Sequence, residues 1–285
     1  MMFITECPRD AMQGIHQFIP TETKIDYLKS LIDAGFPMID AGSFVSPKAI
    51  PQMADSNEVF DAIGEIKNET KLLAIVANPR GAADAVAHDN ISFLGYPFSV
   101  SETFQKRNTN AGIEESLIRV EEIQNIAIKS GKTLLVYLSM AFGNPYGDPW
   151  SPELVTGWAS RIGGMGISHL ALADTTGMSD TQSIHSLFSV IIPALAQINI
   201  SAHLHARPHE VQEKTEAAWQ AGCRRFDTAL KGFGGCPMAG DELTGNMATE
   251  EVLDWCHKNQ IETGVSSSKL AVSMDKSSKI FNTFH

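Results

Sequence analysis

His203 and His205, in "HLHARPHE", are two positions apart, and that spacing suggests metal chemistry. Residues i and i+2 of an extended strand project to the same face, so the two imidazoles converge if this stretch is a strand. Imidazole together with oxygen donors suits several divalent ions. Oxygen donors stand in "CPRDAMQG", where Asp10 follows Arg9, and in "TGNMATE", where Asn246 carries an amide. Arg9 beside an ion would give two positive groups able to stabilise a developing oxyanion, which suits enolate chemistry. Plainer readings stand next to these. A His-x-His pair can be incidental, and Arg-Asp is common on any surface. His209, just beyond the pair, reads as ordinary surface.

A second chemical feature is the lone thiol in "FGGCPMAGDELTGNMATE", residues 233–250. Glycines 232, 234, 235, 240 and 245 permit hinge motion or close backbone approach to a ligand. Cys236 there could transfer a proton if its surroundings favour the thiolate; the alternative is a loop with an accidental thiol. Cys7, Cys223 and Cys256 read as small buried hydrophobes. Lys48 in "SFVSPKAIPQM", and Lys106 and Arg107 in "SETFQKRNTNAG", are either phosphate contacts or solvated surface charges.

Elements that could position these groups are readable along the chain. Strand candidates are "MFITEC", "PMIDAG", "KLLAIVA", "NISFLG", "TLLVYLSM", "HLALAD", "INISAHLH" and "RRFDTAL". Several are continuously apolar, as parallel strands covered on both faces are. Helical patterns lie between them. "TETKIDYLKSLIDAG" has Thr21 as a cap and Gly35 as the stop, "GIEESLIRVEEIQNIAIKSG" ends at Gly131, and "EEVLDWCHKNQ" closes the cycle. Eight strand–helix units in 285 residues predict one (β/α)₈ TIM-barrel domain over residues 1–285. The rival is a doubly wound open sheet, but the first strand lacks the Gly-x-Gly-x-x-Gly turn. A barrel puts its active site at the C-terminal strand ends. Arg9, Asp10, His203 and His205 all fall there.

The bulk composition excludes other classes. A formal net charge of −11 argues against general nucleic-acid binding, though a local basic cluster can still meet an anionic small molecule. No apolar run reaches the roughly 18 to 20 residues of a membrane span, and no secretory signal is apparent. Four cysteines without paired spacing suit a reducing compartment, so the cytoplasm is expected.

With these residues assembled, the sequence resembles the hydroxymethylglutaryl-CoA lyases, within the metal-dependent DRE-TIM barrel lyases and aldolases. "PRDAMQ", "GSFVSPKAIPQM", "SETFQKRNTN", "LADTTG", "HLH", "GFGGCP", "TGNMATEE" and "IETGV" carry the resemblance, over nearly the whole chain. It implies a TIM barrel with a glycine-rich active-site loop after strand eight. It implies one Mg²⁺ or Mn²⁺ bound by Asp10, His203, His205 and Asn246. Arg9, Cys236, Asp174 and Asp40 match catalytic positions. Gln13, Ser43, Lys48, Lys106, Arg107 and Glu250 match substrate or CoA positions, and Lys231, close to the glycine loop, is expected to touch the acyl or CoA group, although Asp174 also reads as a strand-end turn and Glu250 as a helix-start carboxylate.

The implied reaction is retro-Claisen cleavage of 3-hydroxy-3-methylglutaryl-CoA to acetyl-CoA and acetoacetate, in leucine degradation and ketone body formation. The implied assembly is a homo-oligomer, a dimer by preference. Rivals are a lyase for a longer-branched 3-hydroxyglutaryl-CoA, a condensing enzyme or aldolase on the same scaffold, and a non-catalytic barrel. This chain departs from the animal pattern and looks like a bacterial branch. It has Asp40 and Thr5 where glutamates are familiar, with Glu6 expected on the other side of the strand. Ala206, Arg207, Pro208 and His209 replace Asp-Thr-Tyr-Gly, and Lys231 replaces a small residue.

Overall fold

The computed structural model describes residues 1–234 and 244–284. Its eight strands are all parallel and close into a barrel in chain order, with the last pairing to the first. They are β1 (Phe3–Glu6), β2 (Met38–Ser43), β3 (Lys71–Ile75), β4 (Ile91–Ser99), β5 (Thr133–Ser139), β6 (His169–Ala173), β7 (Asn199–His203) and β8 (Arg225–Thr228). Each of the eight expected strands is present. β4 runs four residues past its expected end at Gly95. Pro97 reads as a breaker in sequence, yet Leu94, Tyr96 and Phe98 bury fully on the helix side and carry the strand onward.

Alternation along the strands divides the interior in two. Met38, Leu73, Ile75, Leu135, Tyr137 and Ala171 form a small apolar cluster inside the barrel. Ile4, Ile39, Leu72, Ala74 and Val136 point outward into the larger core beneath the helices. Both faces of every strand are covered, which is why the runs read as nearly unbroken apolar sequence.

The helix at Thr21–Ala34 begins one residue earlier than a Thr21 cap requires. Pro20 takes the extended cap position (φ −55°, ψ 139°), so Thr21 is the first helical residue and caps nothing. The helix stops at Gly35, whose φ of 83° is easy only for a residue without a Cβ. Helices Ile113–Lys129 and Thr249–Lys258 lie where the periodicity places them. A further helix, Ser267–Thr283, follows the cycle. It packs on Thr21–Ala34 and stacks Phe281 on Phe233, ring centres 4.0 Å apart. Among the described residues, no helix is long and apolar enough to cross a membrane.

Candidate active site

After β1 the chain turns directly into a six-residue helix, Pro8–Gln13. Pro8 fits the first turn, where its missing N–H is no loss and its fixed φ favours the helix. The short helix presents Arg9, Asp10 and Gln13 together. Arg9 Nη1 donates to Gln13 Oε1 at 2.7 Å and to Asp10 Oδ1 at 3.2 Å. Gln13 Nε2 donates to the same Asp10 oxygen at 3.3 Å.

The other edge of the Arg9 guanidinium is gripped by Asp40. Nε lies 3.1 and 3.0 Å from the two carboxylate oxygens, and Nη2 lies 2.5 Å from Oδ2. Asp40 sits on β2 where pairing to β3 slips between Asp40 and Gly42, a bulge that re-aims the strand end. Burial alone would weaken the charge on Arg9, but Asp40 and Asp10 hold its pKa above the ordinary arginine value. For Asp40, burial outweighs Arg9 and raises the carboxyl. Burial also acts to raise Asp10, yet Arg9, His203, the Asn246 hydrogen bond and His205 together bring it below the usual carboxylate range.

His203 is the last residue of β7 and His205 follows two residues on, their ring centres 5.6 Å apart. Asp10, His203 and His205 each offer a ligand atom, all within 4.8 Å of one another. Asp227 on β8 accepts a hydrogen bond from His203 Nδ1 at 3.1 Å, which fixes the ring and leaves Nε2 outside that bond. Burial opposes protonation of His203, but the Asp227 hydrogen bond and charge raise its pKa above the ordinary histidine value. His205 goes the other way. Burial first, and then the nearby His203, push it down to about 4, so its imidazole is neutral.

Neither ring nitrogen of His205 has a hydrogen-bond partner among the described residues, although the side chain is buried. Orphaned, neutral imidazole nitrogen beside an ionised carboxylate is what a divalent cation needs, and the donor set fits one. Asn246 stands beside it. Its Nδ2 donates to Asp10 Oδ2 at 2.8 Å and to the Phe233 carbonyl at 2.9 Å. Backbone pairing brings it there: Asn246 bridges His205 in antiparallel fashion, and Ala206 N donates to Gly245 O at 2.9 Å. Two glycines are required by contact. A Cβ on Gly234 would lie 2.6 Å from Asn246 Nδ2, and one on Gly245 would lie 2.2 Å from the Gly232 carbonyl oxygen.

The remaining sequence candidates are placed less centrally. Asp174 is buried after β6 and acts as a turn residue, accepting from Met178 N at 2.8 Å and from Ser179 N at 3.1 Å. Its carboxylate reaches none of Arg9, Asp10, His203 or His205 by hydrogen bond or ion pair. Ser43 is buried at the end of β2, where its hydroxyl accepts from Val45 N at 3.2 Å. Lys48 is exposed on the following loop. Lys106 pairs with Glu102 at 3.0 Å, and Arg107 lies over the Tyr146 ring at 4.6 Å. Lys231 holds a left-handed backbone (φ 65°) that a smaller residue would adopt more easily, and its N–H donates to Glu250 Oε2 at 2.9 Å. Glu250 therefore does more than begin a helix. His209 is exposed, as expected. Cys236 lies outside the described residues.

Sequence reasoning missed three supports. Asp227 was visible only as a polar residue inside a buried strand. Tyr137 sets its ring edge-on to His203, centres 5.5 Å apart, with its hydroxyl buried and unpartnered among the described residues. Buried Lys214 donates to the His205 carbonyl at 2.9 Å and stands 3.9 Å from Asp174. Its only signal was a lysine in the helix after the histidine pair.

Comparison with known proteins follows the same line. The chain is 33% identical over 277 residues to a cytoplasmic 3-hydroxy-3-methylglutaryl-CoA lyase of Danio rerio, covering 96% of this chain and 81% of the relative. It is 30% identical over 277 residues to an (R)-citramalyl-CoA lyase of Chloroflexus aurantiacus, covering 94% and 87%. An HMG-CoA lyase of Acinetobacter baumannii, solved with coenzyme A and 3-methylmalate, superposes with a TM-score of 0.90. That pair is 30% identical, with 99% of this chain and 92% of the other covered. The family model described as HMGL-like matches residues 1–275. The chain belongs to the HMGL-like family.

Proposed function

We propose that this protein is a metal-dependent carbon–carbon lyase that cleaves 3-hydroxy-3-methylglutaryl-CoA to acetyl-CoA and acetoacetate. The observation that carries this reading is Arg9, clamped by Asp40 on one edge and touching Asp10 on the other, beside the Asp10–His203–His205 donor group. The substrate follows from the lyase relatives.

Asp10, His203, His205 and Asn246 would hold Mg²⁺ or Mn²⁺, which supplies positive charge that lowers the cost of an oxyanion on the substrate. The tertiary hydroxyl gives its proton to a general base or water, the carbonyl forms as the carbon–carbon bond breaks, and the electron pair passes to acetyl-CoA as an enolate. Arg9 faces that charge. Because Asp40 already fixes its plane, little reorganisation is needed as the charge develops. Protonation of the enolate at carbon completes acetyl-CoA, and Cys236 remains our candidate acid. Asp174 contributes by holding the loop after β6. Gln13 and Ser43 line the substrate end, while Lys48, Lys106, Arg107, Lys231 and Glu250 serve the CoA end. We read the chain as one barrel domain that works as a homodimer in the cytoplasm, within leucine degradation and ketone body formation.

The (R)-citramalyl-CoA lyase relative supports a second reading, in which the carbinol carbon carries a carboxylate and cleavage releases a 2-oxo acid. Incubating the purified protein with each thioester separately, and identifying the released acid, tests one against the other. Acetoacetate from the first with little 2-oxo acid from the second supports our assignment; the reverse overturns it.

A further inference from the structure

The chemistry above leaves one fully buried acid unused. Glu6 is the last residue of β1 and has no exposed surface. Phe3 packs toward the barrel interior and Ile4 toward the helices, so alternation turns Thr5 inward and Glu6 outward. The outward carboxyl meets the chain segment that leaves β8. Oε1 accepts from Leu230 N at 2.8 Å, and Oε2 lies 2.5 Å from Thr249 Oγ1. Thr249 Oγ1 lies 2.8 Å from Thr228 Oγ1.

Leu230 opens the segment after β8, and Thr249 begins the helix that ends it. One side chain thus ties both stems to the strand whose continuation carries Arg9 and Asp10. Backbone bonds already join the stems to each other, from Ala229 N to Met247 O at 3.0 Å and from Thr249 N to Ala229 O at 3.1 Å. The bond from Cys7 N to Thr228 O at 2.8 Å fixes the end of β8 against β1, and the Glu6 side chain carries that hold onward to Leu230 and Thr249. Asn246 stands three residues before Thr249, so that hold sets where its amide meets Asp10.

We propose that Glu6 is a positioning residue for the Asp10–Asn246 pair, holding Leu230 and Thr249 against β1 so that the Asn246 side chain is seated at the Asp10 carboxylate. This rests on our reading that both residues serve the metal site. The neutral acid satisfies every group present. Its carbonyl accepts from Leu230 N, its hydroxyl donates to Thr249 Oγ1, and the Thr249 proton passes on to Thr228 Oγ1. Burial, and to a lesser extent Glu250, raise the carboxyl to about 8 against the two hydrogen bonds that lower it, which agrees with that arrangement. A glutamine reproduces it, with the amide oxygen accepting and the amide nitrogen donating. A leucine of similar size reproduces neither bond.

The test compares the full-length wild type with Glu6→Gln, Glu6→Leu and Thr249→Val. Three readouts are used: Mn²⁺ titration by electron paramagnetic resonance, amide hydrogen exchange of residues 244–250, and steady-state cleavage. Glu6→Leu is expected to weaken Mn²⁺ binding at least fivefold and speed exchange in 244–250 at least tenfold, with the barrel strands unchanged and kcat falling more than KM rises. Thr249→Val should fall between, and Glu6→Gln should stay within twofold of wild type at pH 7. A Glu6→Leu protein with a lowered Tm but wild-type Mn²⁺ affinity and exchange makes Glu6 core filling and overturns the proposal. If Glu6→Leu does not fold, wild-type affinity in Thr249→Val overturns it equally. If the wild type neither binds Mn²⁺ nor cleaves the thioester, the proposed function fails, and the exchange data alone decide on Glu6.

Discussion

Asn246 donates its amide to Asp10 Oδ2 at 2.8 Å, across 236 positions of sequence. That bond joins the segment after the last strand to the helix after the first. It also orients the amide, because Nδ2 is occupied by Asp10 and by the Phe233 carbonyl, so in our proposal Oδ1 is the atom that would meet a cation.

Asn246→Ala removes both the orienting bond and the oxygen. Mn²⁺ affinity is expected to fall by about 10- to 100-fold, the range seen when groups that orient or complete a metal site are lost. Titration of the purified variant with Mn²⁺ alone checks this, and unchanged affinity would remove Asn246 from the site.

Arg9→Gln should separate charge stabilisation from metal binding. Turnover is expected to fall by about 10²- to 10³-fold, as for loss of one oxyanion donor, with Mn²⁺ affinity within a few-fold of wild type. The variant leaves Asp40 buried without its partner, and breaking such a pair costs about 3 to 5 kcal/mol where the remaining charge cannot be neutralised. Asp40 is already raised by burial, so it should take up a proton and reduce that cost. Urea unfolding should accordingly show Arg9→Gln/Asp40→Asn at least as stable as Arg9→Gln alone.

Much of this arrangement was legible in the sequence, because a barrel converts chain order into position. The strand expected to run through His205 stops at His203, yet His205 follows it closely, and Arg9 and Asp10 follow another strand end, so the closed barrel brings all four together. Asn246 was legible as an amide oxygen beyond the last strand, but its approach was not, since that depends on the bridge to His205 and the tight passage at Gly245. Asp227 and Tyr137 were hidden for another reason. In a strand buried on both faces, a polar residue facing the barrel interior gives no periodic signal that separates it from one facing a helix. Thr21 shows the limit at helix ends, where the fixed φ of Pro20 took the cap position from a residue of better capping chemistry.

Metal binding should depend on pH through His203. Its pKa is raised in the apoprotein, so a proton competes with the cation, and Mn²⁺ affinity should fall as pH falls through that raised value. Asp227→Asn removes the charge responsible and should move the midpoint of the affinity–pH curve to lower pH. A midpoint that does not move would show that Asp227 does not govern His203.

Stability should depend on pH through Glu6. Its folded-state pKa is raised from 4.5 to about 8. Its contribution is therefore fully present below about pH 4.5 and is lost as pH rises toward 8. Over that window the loss is of the order of 3 to 5 kcal/mol. Glu6→Gln cannot ionise, so its urea-unfolding stability should be flatter than wild type between pH 5 and 8. Parallel curves would mean that Glu6 is ionised throughout.

We propose that the Arg9–Asp10–His203–His205 group carries out metal-dependent cleavage of 3-hydroxy-3-methylglutaryl-CoA. The most direct test is acetoacetate release by the purified, thiol-protected protein, measured with saturating Mg²⁺ or Mn²⁺ and again after chelation. Stoichiometric acetoacetate and acetyl-CoA are expected with metal, loss of both with chelator, and recovery on adding metal back. No acetoacetate at saturating metal, or a rate indifferent to the chelator, would contradict it.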